Sequence, residues 1–275
     1  MLKKKSISAA LACVLAMGVW SGSALATPVN VGGVVIDSSS PINLTIDAVN
    51  FRETTISKVG DMLNGYGKLA SINGTDQSVF CPGCDVGFTF QYTVRSIDTT
   101  GANPQVVFDM GNIKFYVDNT SSFSVLNPSS ASAGTLWLAL TGHAAPYSGF
   151  SDPGGELYST VVGPVSQPGS QSGGFGLLDA AGGPGFSYFD TNTQADGADF
   201  SFSSSFLTKV AAGCGKTPSS DTNSICHYPI SGTAELIAST PLPEPGAAGL
   251  LGLGLAFLGL FTWGRRKEAE SNGLA

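Results

Sequence analysis

The sequence predicts an all-β protein, an antiparallel β-sandwich or jelly-roll-like domain with long Gly/Pro-rich loops, plus one C-terminal transmembrane helix. Three observations carry this expectation. Apolar and polar residues alternate in many short stretches between Thr27 and Pro243, the period of a strand with one buried face. No window in that region repeats apolar residues at the 3.6-residue spacing of a helix. Near the end, twenty uncharged residues beginning at Pro245 would span about 30 Å as a helix, the thickness of a bilayer's hydrocarbon core.

In chain order, Lys3, Lys4 and Lys5 precede an apolar run over residues 7–20 and then Ala24-Leu25-Ala26. This is the layout of a secretory signal peptide cut after Ala26, so residues 1–26 are expected to meet the Sec translocon and signal peptidase. Residues 27–240 are expected to form the exported β-rich domain. In VGFTFQYTVR, Phe88, Phe90, Tyr92 and Val94 alternate with Thr89, Gln91, Thr93 and Arg95. NIKFYVD repeats the pattern with Ile113, Phe115 and Val117, and TLWLALTG with Leu136, Leu138 and Leu140. INLTIDAV, GKLASI, ELYSTVV, ADFSFSSSF and TAELIAS are further strand candidates, with Asn64-Gly65, Asn73-Gly74 and Asp196-Gly197 as turn signals. Between Gly149 and Gly185, eleven Gly and four Pro in thirty-seven residues predict long surface loops around short strands such as 157–162.

The region 27–243 holds seven Lys/Arg against seventeen Asp/Glu, seven minus seventeen giving a formal charge of −10. That field opposes nucleic acid and anionic lipid, and no nucleic-acid partner is expected. Five cysteines become four once Cys13 leaves with the signal peptide, and in an oxidising compartment four allow three pairings. The spacing favours the local ones. Cys81-Pro82-Gly83-Cys84 suits a type II turn that brings its ends within about 7 Å, and Cys214 and Cys226 close a thirteen-residue loop.

Signals for catalysis are sparse. His143 and His227 are the two histidines, and neither a G-x-S-x-G elbow nor an H-E-x-x-H helix is present. No catalytic residue, cofactor or resident metal is expected. FDTNTQADGADF offers Asp190, Asn192, Asp196 and Asp199 as oxygen ligands for calcium, but Ala195 stands where an EF-hand loop has glycine, so the stretch is read as an acidic loop. Asn43, Asn73 and Asn119 lie in N-x-S/T sequons.

At the C-terminus, Leu250, Leu251, Leu253, Leu255, Phe257, Leu258, Leu260 and Phe261 surround a helix on all sides, as a membrane span requires and an amphipathic core helix does not. Arg265, Arg266 and Lys267 then fall on the cytoplasmic side. The order Pro243-Glu244-Pro245, Gly/Leu-rich span, basic cluster resembles the PEP-CTERM sorting signal of Gram-negative bacteria, over residues 241–268, with 269–275 as a cytoplasmic tail longer than is usual there. VGDMLNGYGKLASINGT, a following cysteine pair and YFDTNTQADGADFSF are similar to exported PEP-CTERM proteins linked to flocculation and biofilm matrix.

The resemblance implies an inner-membrane-anchored precursor processed by an exosortase, with the mature form at the cell surface or in the extracellular matrix and exopolysaccharide as a partner. It implies a non-enzymatic protein of exopolysaccharide-associated biofilm or floc formation. The alternatives are a carbohydrate- or calcium-dependent binding module and a secreted polysaccharide hydrolase.

Overall fold

The computed structural model describes residues 28–36, 41–47, 49–166, 172–207, 214 and 218–239. They are mostly β. A hairpin of β1 (Val29–Val31) and β2 (Val34–Ile36) packs on a larger antiparallel sheet of twelve strands. The larger sheet contains β3 (Ile42–Ile46), β4 (Phe51–Glu53), β5 (Met62–Lys68), β6 (Ser71–Ile72), β7 (Thr75–Asp76), β8 (Asp85–Asp98) and β9 (Gln105–Asp118). It continues with β10 (Thr135–His143), β11 (Leu157–Thr160), β12 (Gly173–Gly182), β13 (Phe200–Leu207) and β14 (Ser231–Ala238). Among the described residues the α-helices are single turns, α1 (Gln77–Phe80) and α2 (Phe186–Phe189).

The ladder runs β4-β5-β8-β9-β10-β12-β13-β14-β3-β6-β7, with β11 pairing β9 and β12. It turns back on itself: the Glu53 N–H donates to Ile230 O (2.9 Å) and the Ile230 N–H to Glu53 O (3.2 Å), so β4 meets the chain entering β14. The strands therefore form a ring around one apolar interior. Phe88 and Phe115 from one side share that interior with Phe200 and Leu236 from the other.

The alternating rows sit as their sequences predict in β8 and β9, where Phe88, Tyr92, Val94, Ile113, Phe115 and Val117 are buried. β10 departs from expectation. Its pairing with β9 slips between Leu136 and Leu138, and this bulge turns Trp137 inward to 1% exposure while Leu136 is only half-buried. Trp137 stands edge-on to Phe115 and Phe189, at centroid distances of 6.2 and 5.9 Å. Its indole N–H donates to Val31 O (2.8 Å), tying the β1–β2 hairpin to the core.

Two local expectations are corrected. Asn64-Gly65 is not a turn but lies inside β5. A Cβ at Gly65 would stand 2.1 Å from Phe90 Cε1 and 2.6 Å from Arg52 O, so glycine there serves close packing across the strand. Asn73-Gly74 does make its turn, with φ of 51° and 71°, joining β6 to β7. Nor is the Gly-rich region only loops and short strands. Its GGFGLLDAAG is the ten-residue β12, paired on both sides, and a Cβ at Gly176 would meet Glu156 O at 2.4 Å. Backbone pairing on both edges satisfies the N–H and C=O groups that the composition alone leaves unaccounted for. The loop before β11 is also packed: Arg95 pairs with Asp109 (3.1 Å) and Asp152 (2.8 Å) and donates to Gly154 O (2.9 Å).

One interior group is anomalous. Glu53 is 4% exposed, and no side chain or backbone group among the described residues hydrogen-bonds its carboxyl. It borders two adjoining cavities of about 30 Å³ each, both also lined by Leu63, Leu157 and Phe206, room for a water molecule in each. Burial pushes its pKa well above the ordinary 4.5. In the unfolded chain the carboxyl ionises near 4.5, whereas in the fold it stays protonated to higher pH, so rising pH favours the unfolded state until the folded pKa is passed. Glu53→Gln should therefore be increasingly more stable than the native protein as pH rises above about 5, by up to about 1.4 kcal/mol per pH unit. Denaturant titrations across that range check it; parallel pH profiles would contradict the burial of an unpaired acid.

Candidate functional site

The period-two alternation of β8 and β9 buries one row and places the other outside, and the groove side of β5 continues that second row. Asn64 and Tyr66 from β5, Thr89 and Gln91 from β8, and Asn112, Lys114 and Tyr116 from β9 form the floor of an open groove of about 520 Å³. Phe90 reaches this floor from the interior at the strand position where Gly65 leaves room for its ring.

Two loops far apart in sequence wall the groove. One holds the 3-10 turn Pro128–Ser132, and its approach is pinned by buried carboxylates. Asp118 accepts from the N–H and hydroxyl of both Thr120 and Ser122, bonds led by the Ser122 hydroxyl that hold its pKa far below the usual range. Asp85 accepts from the Phe123 N–H (3.1 Å) and from Lys68 Nζ (3.1 Å). Tyr66 closes the connection, its hydroxyl donating to Val125 O at 2.6 Å. Desolvation pushes that phenol up to about 12, so it remains a donor across the physiological range.

The opposite wall is the end of the second cysteine loop. Cys214 and Cys226 are bonded, with Cα atoms 5.2 Å apart. The 3-10 turn Ile225–His227 follows from Ser224, whose hydroxyl accepts from the Cys226 N–H. His227 Nδ1 lies 2.6 Å from Ser219 O; a carbonyl can only accept, so Nδ1 carries the proton. Tyr228 stands edge-on to Tyr66 with ring centroids 4.9 Å apart. The first pair, Cys81 and Cys84, is bonded as well, with the Cys84 N–H donating to Cys81 O (3.1 Å) and Gly83 at φ 74°, the form expected of a Pro-Gly turn. It is buried beside α1 and away from the groove.

Chemically, the groove offers aromatic rings, amide and hydroxyl side chains, one imidazole and one ammonium group. No Asp or Glu is among its lining residues. Amides and hydroxyls beside the partly exposed rings of Tyr116 and Tyr228 suit an extended, hydroxyl-rich ligand, whose polar edges take hydrogen bonds and whose C–H faces rest on rings. Sequence reading missed this site because its residues look like the ordinary solvated row of a strand. A usable signal was the placement of Tyr116 at a partly exposed outward position, where a solvated strand more commonly carries Thr, Ser or a charge.

The acidic stretch forms no ligand set. Asp199 is 2% exposed and accepts from the N–H groups of Thr191 (2.6 Å), Asn192 (2.7 Å) and Ala180 (2.8 Å). Among the described residues no group of three or more His, Cys, Asp or Glu is placed to share a cation. His143 Nδ1 lies 2.9 Å from the Asp179 carboxylate, and no hydroxyl or thiol among the described residues is hydrogen-bonded to it. Ala24, Ala26, Pro243, Glu244, Pro245, Arg265, Arg266 and Lys267 lie outside the described residues, as does the predicted transmembrane stretch. Among the described residues no helix is long and apolar enough to cross a membrane.

Two outcomes follow from these contacts. Asp199→Ala leaves three backbone donors without their acceptor and should lower the unfolding free energy by at least about 3 kcal/mol, while millimolar calcium leaves the native melting temperature unchanged; a chelator-reversible rise would contradict this reading of the loop. Replacing Cys214 and Cys226 together by Ser should cost about 3 kcal/mol through loop-closure entropy and speed amide exchange at His227 and Tyr228, with Cys81–Cys84 unaffected. Chemical denaturation and hydrogen exchange measure both effects.

No protein-family model matches the chain, and no curated protein or solved structure matches it.

Proposed function

We propose that the chain is an exported, non-enzymatic cell-surface or extracellular-matrix protein that holds a matrix polysaccharide in the β5-β8-β9 groove. On this reading the ring of strands is a flattened β-sandwich, and its export and release follow from the two ends of the sequence. The observation that carries the proposal is the groove itself, an open floor of amides, hydroxyls and the partly exposed ring of Tyr116, with Tyr228 on one of its two pinned walls. Such a surface binds a long chain along its length rather than engulfing a small molecule.

The other function classes find less support. A polysaccharide hydrolase needs two carboxyl groups facing across its substrate, and the groove lining carries none. A calcium-dependent module needs free carboxylates, and Asp199 is engaged by backbone donors. The order Pro-Glu-Pro, apolar run, Arg-Arg-Lys supports sorting by an exosortase from an inner-membrane precursor, with exopolysaccharide-associated biofilm or floc formation as the setting.

Two measurements test the proposal. Mature protein recovered from the native host's surface should end near Glu244, and changing Pro243-Glu244-Pro245 to Ala-Ala-Ala should leave full-length chain in the inner membrane. A surface form that still ends at Ala275 would make the tail a permanent anchor. For the groove, the purified domain should bind saturably to at least one member of a polysaccharide panel without releasing product, and Tyr116→Ala should weaken that binding about tenfold. Product release would replace the binding reading with a hydrolase.

A further inference from the structure

The charge arrangement around the groove narrows the ligand. Of the five Lys/Arg among the described residues, Lys68 and Arg95 are ion-paired with Asp85 and with Asp109 and Asp152. Lys58 lies in the field of Asp61, which accepts its backbone N–H. The remaining two, Lys114 and Arg52, have no carboxylate partner among the described residues, and both belong to the groove's sheet face. Lys114 stands on the floor, exposed. Arg52 is the cross-strand partner of Tyr66, half-buried, with its Nε lacking any hydrogen-bond partner.

The surroundings make this distribution informative. Region 27–243 carries seventeen Asp/Glu against seven Lys/Arg, yet no carboxylate lines the groove. The groove keeps Lys114 uncompensated beside amides and the partly exposed ring of Tyr116.

We propose that the groove binds an acidic polysaccharide, with a ring carboxylate paired to Lys114 and neighbouring sugar faces resting on the partly exposed rings of Tyr116 and Tyr228. This rests on the reading of the groove as a polysaccharide site and adds the charge class of the ligand. Arg52 does not contact the chain in this arrangement; its uncompensated charge behind Tyr66 adds to the positive potential of the floor. The protein's overall negative field opposes an acidic polymer at long range. At physiological ionic strength the screening length is about 8 Å, so a contact at Lys114 persists while repulsion from more distant carboxylates is damped. Nucleic acid would also offer anions and stacking faces, but its charge, one per about 1.7 Å of duplex, would need a row of cations where the lining has a single ammonium group.

The test is calorimetric titration of the purified domain with three probes of matched length: an oligomer of uronic acid, an uncharged oligomer of glucose and single-stranded DNA. The uronate oligomer should bind saturably and at least about tenfold more tightly than the other two. Lys114→Met should remove most of that preference, whereas Lys58→Met, outside the groove, should leave it intact. Lys114 is exposed, so its replacement is expected to preserve the melting temperature, which is measured alongside. Equal binding of the uronate and glucose oligomers, or retention of the preference in Lys114→Met, would overturn the acidic class while leaving a polysaccharide site standing. Tighter binding of DNA would overturn it in favour of phosphate recognition, and binding of none of the three would sink both this inference and the groove's role.

Discussion

The pairing of β8 with β9 is the constraint on which the remainder rests. Each strand has fourteen residues, and their alternation gives the hairpin two distinct faces. Phe88, Tyr92, Ile113 and Phe115 form one side of the core, while Thr89, Gln91, Asn112 and Lys114 form the groove floor. A slip of one residue would exchange the two rows, exposing four large apolar side chains and burying amides and an ammonium group. Core and groove are thus one requirement on one register, which is why the polar row can specialise without loosening the fold.

The ring closes with little material. Two backbone hydrogen bonds join Glu53 to Ile230, and the same short segment carries Arg52 toward the groove side and Glu53 toward the interior. Ile230 lies two residues beyond Tyr228, which packs on Tyr66. The seam that completes the core therefore also positions a wall of the groove. Placing an unpaired carboxyl at this seam is costly unless it stays protonated, so stability at the seam depends on pH.

Close approach explains where simple pattern reading fails. At Gly65 and Gly176 the absent side chain admits an aromatic ring in one case and a neighbouring backbone in the other. Glycine has two meanings in a β protein, turn and close contact, and composition does not distinguish them. The bulge that sends Trp137 inward is of the same kind: alternation in TLWLALTG points to the leucines, and Leu138 and Leu140 are buried as it predicts, but the hydrogen bond to Val31 O and the contacts with Phe115 and Phe189 hold Trp137 inside in place of Leu136.

By itself the sequence determined the β class, the positions of most strands, the inward rows of β8 and β9 and the two cysteine pairs. Each depends on neighbours within about a dozen residues, where side-chain period, turn chemistry and short loop closure act directly. The tertiary structure alone decided that the strands join into one ring, that Asp199 is bonded to backbone rather than free for calcium, and that the groove exists at all. Its floor comes from three strands and its walls from segments roughly a hundred residues apart. Which outward polar rows become a site is set by pairing order and by the loops that pack over them, long-range contacts that leave no local periodicity in the chain.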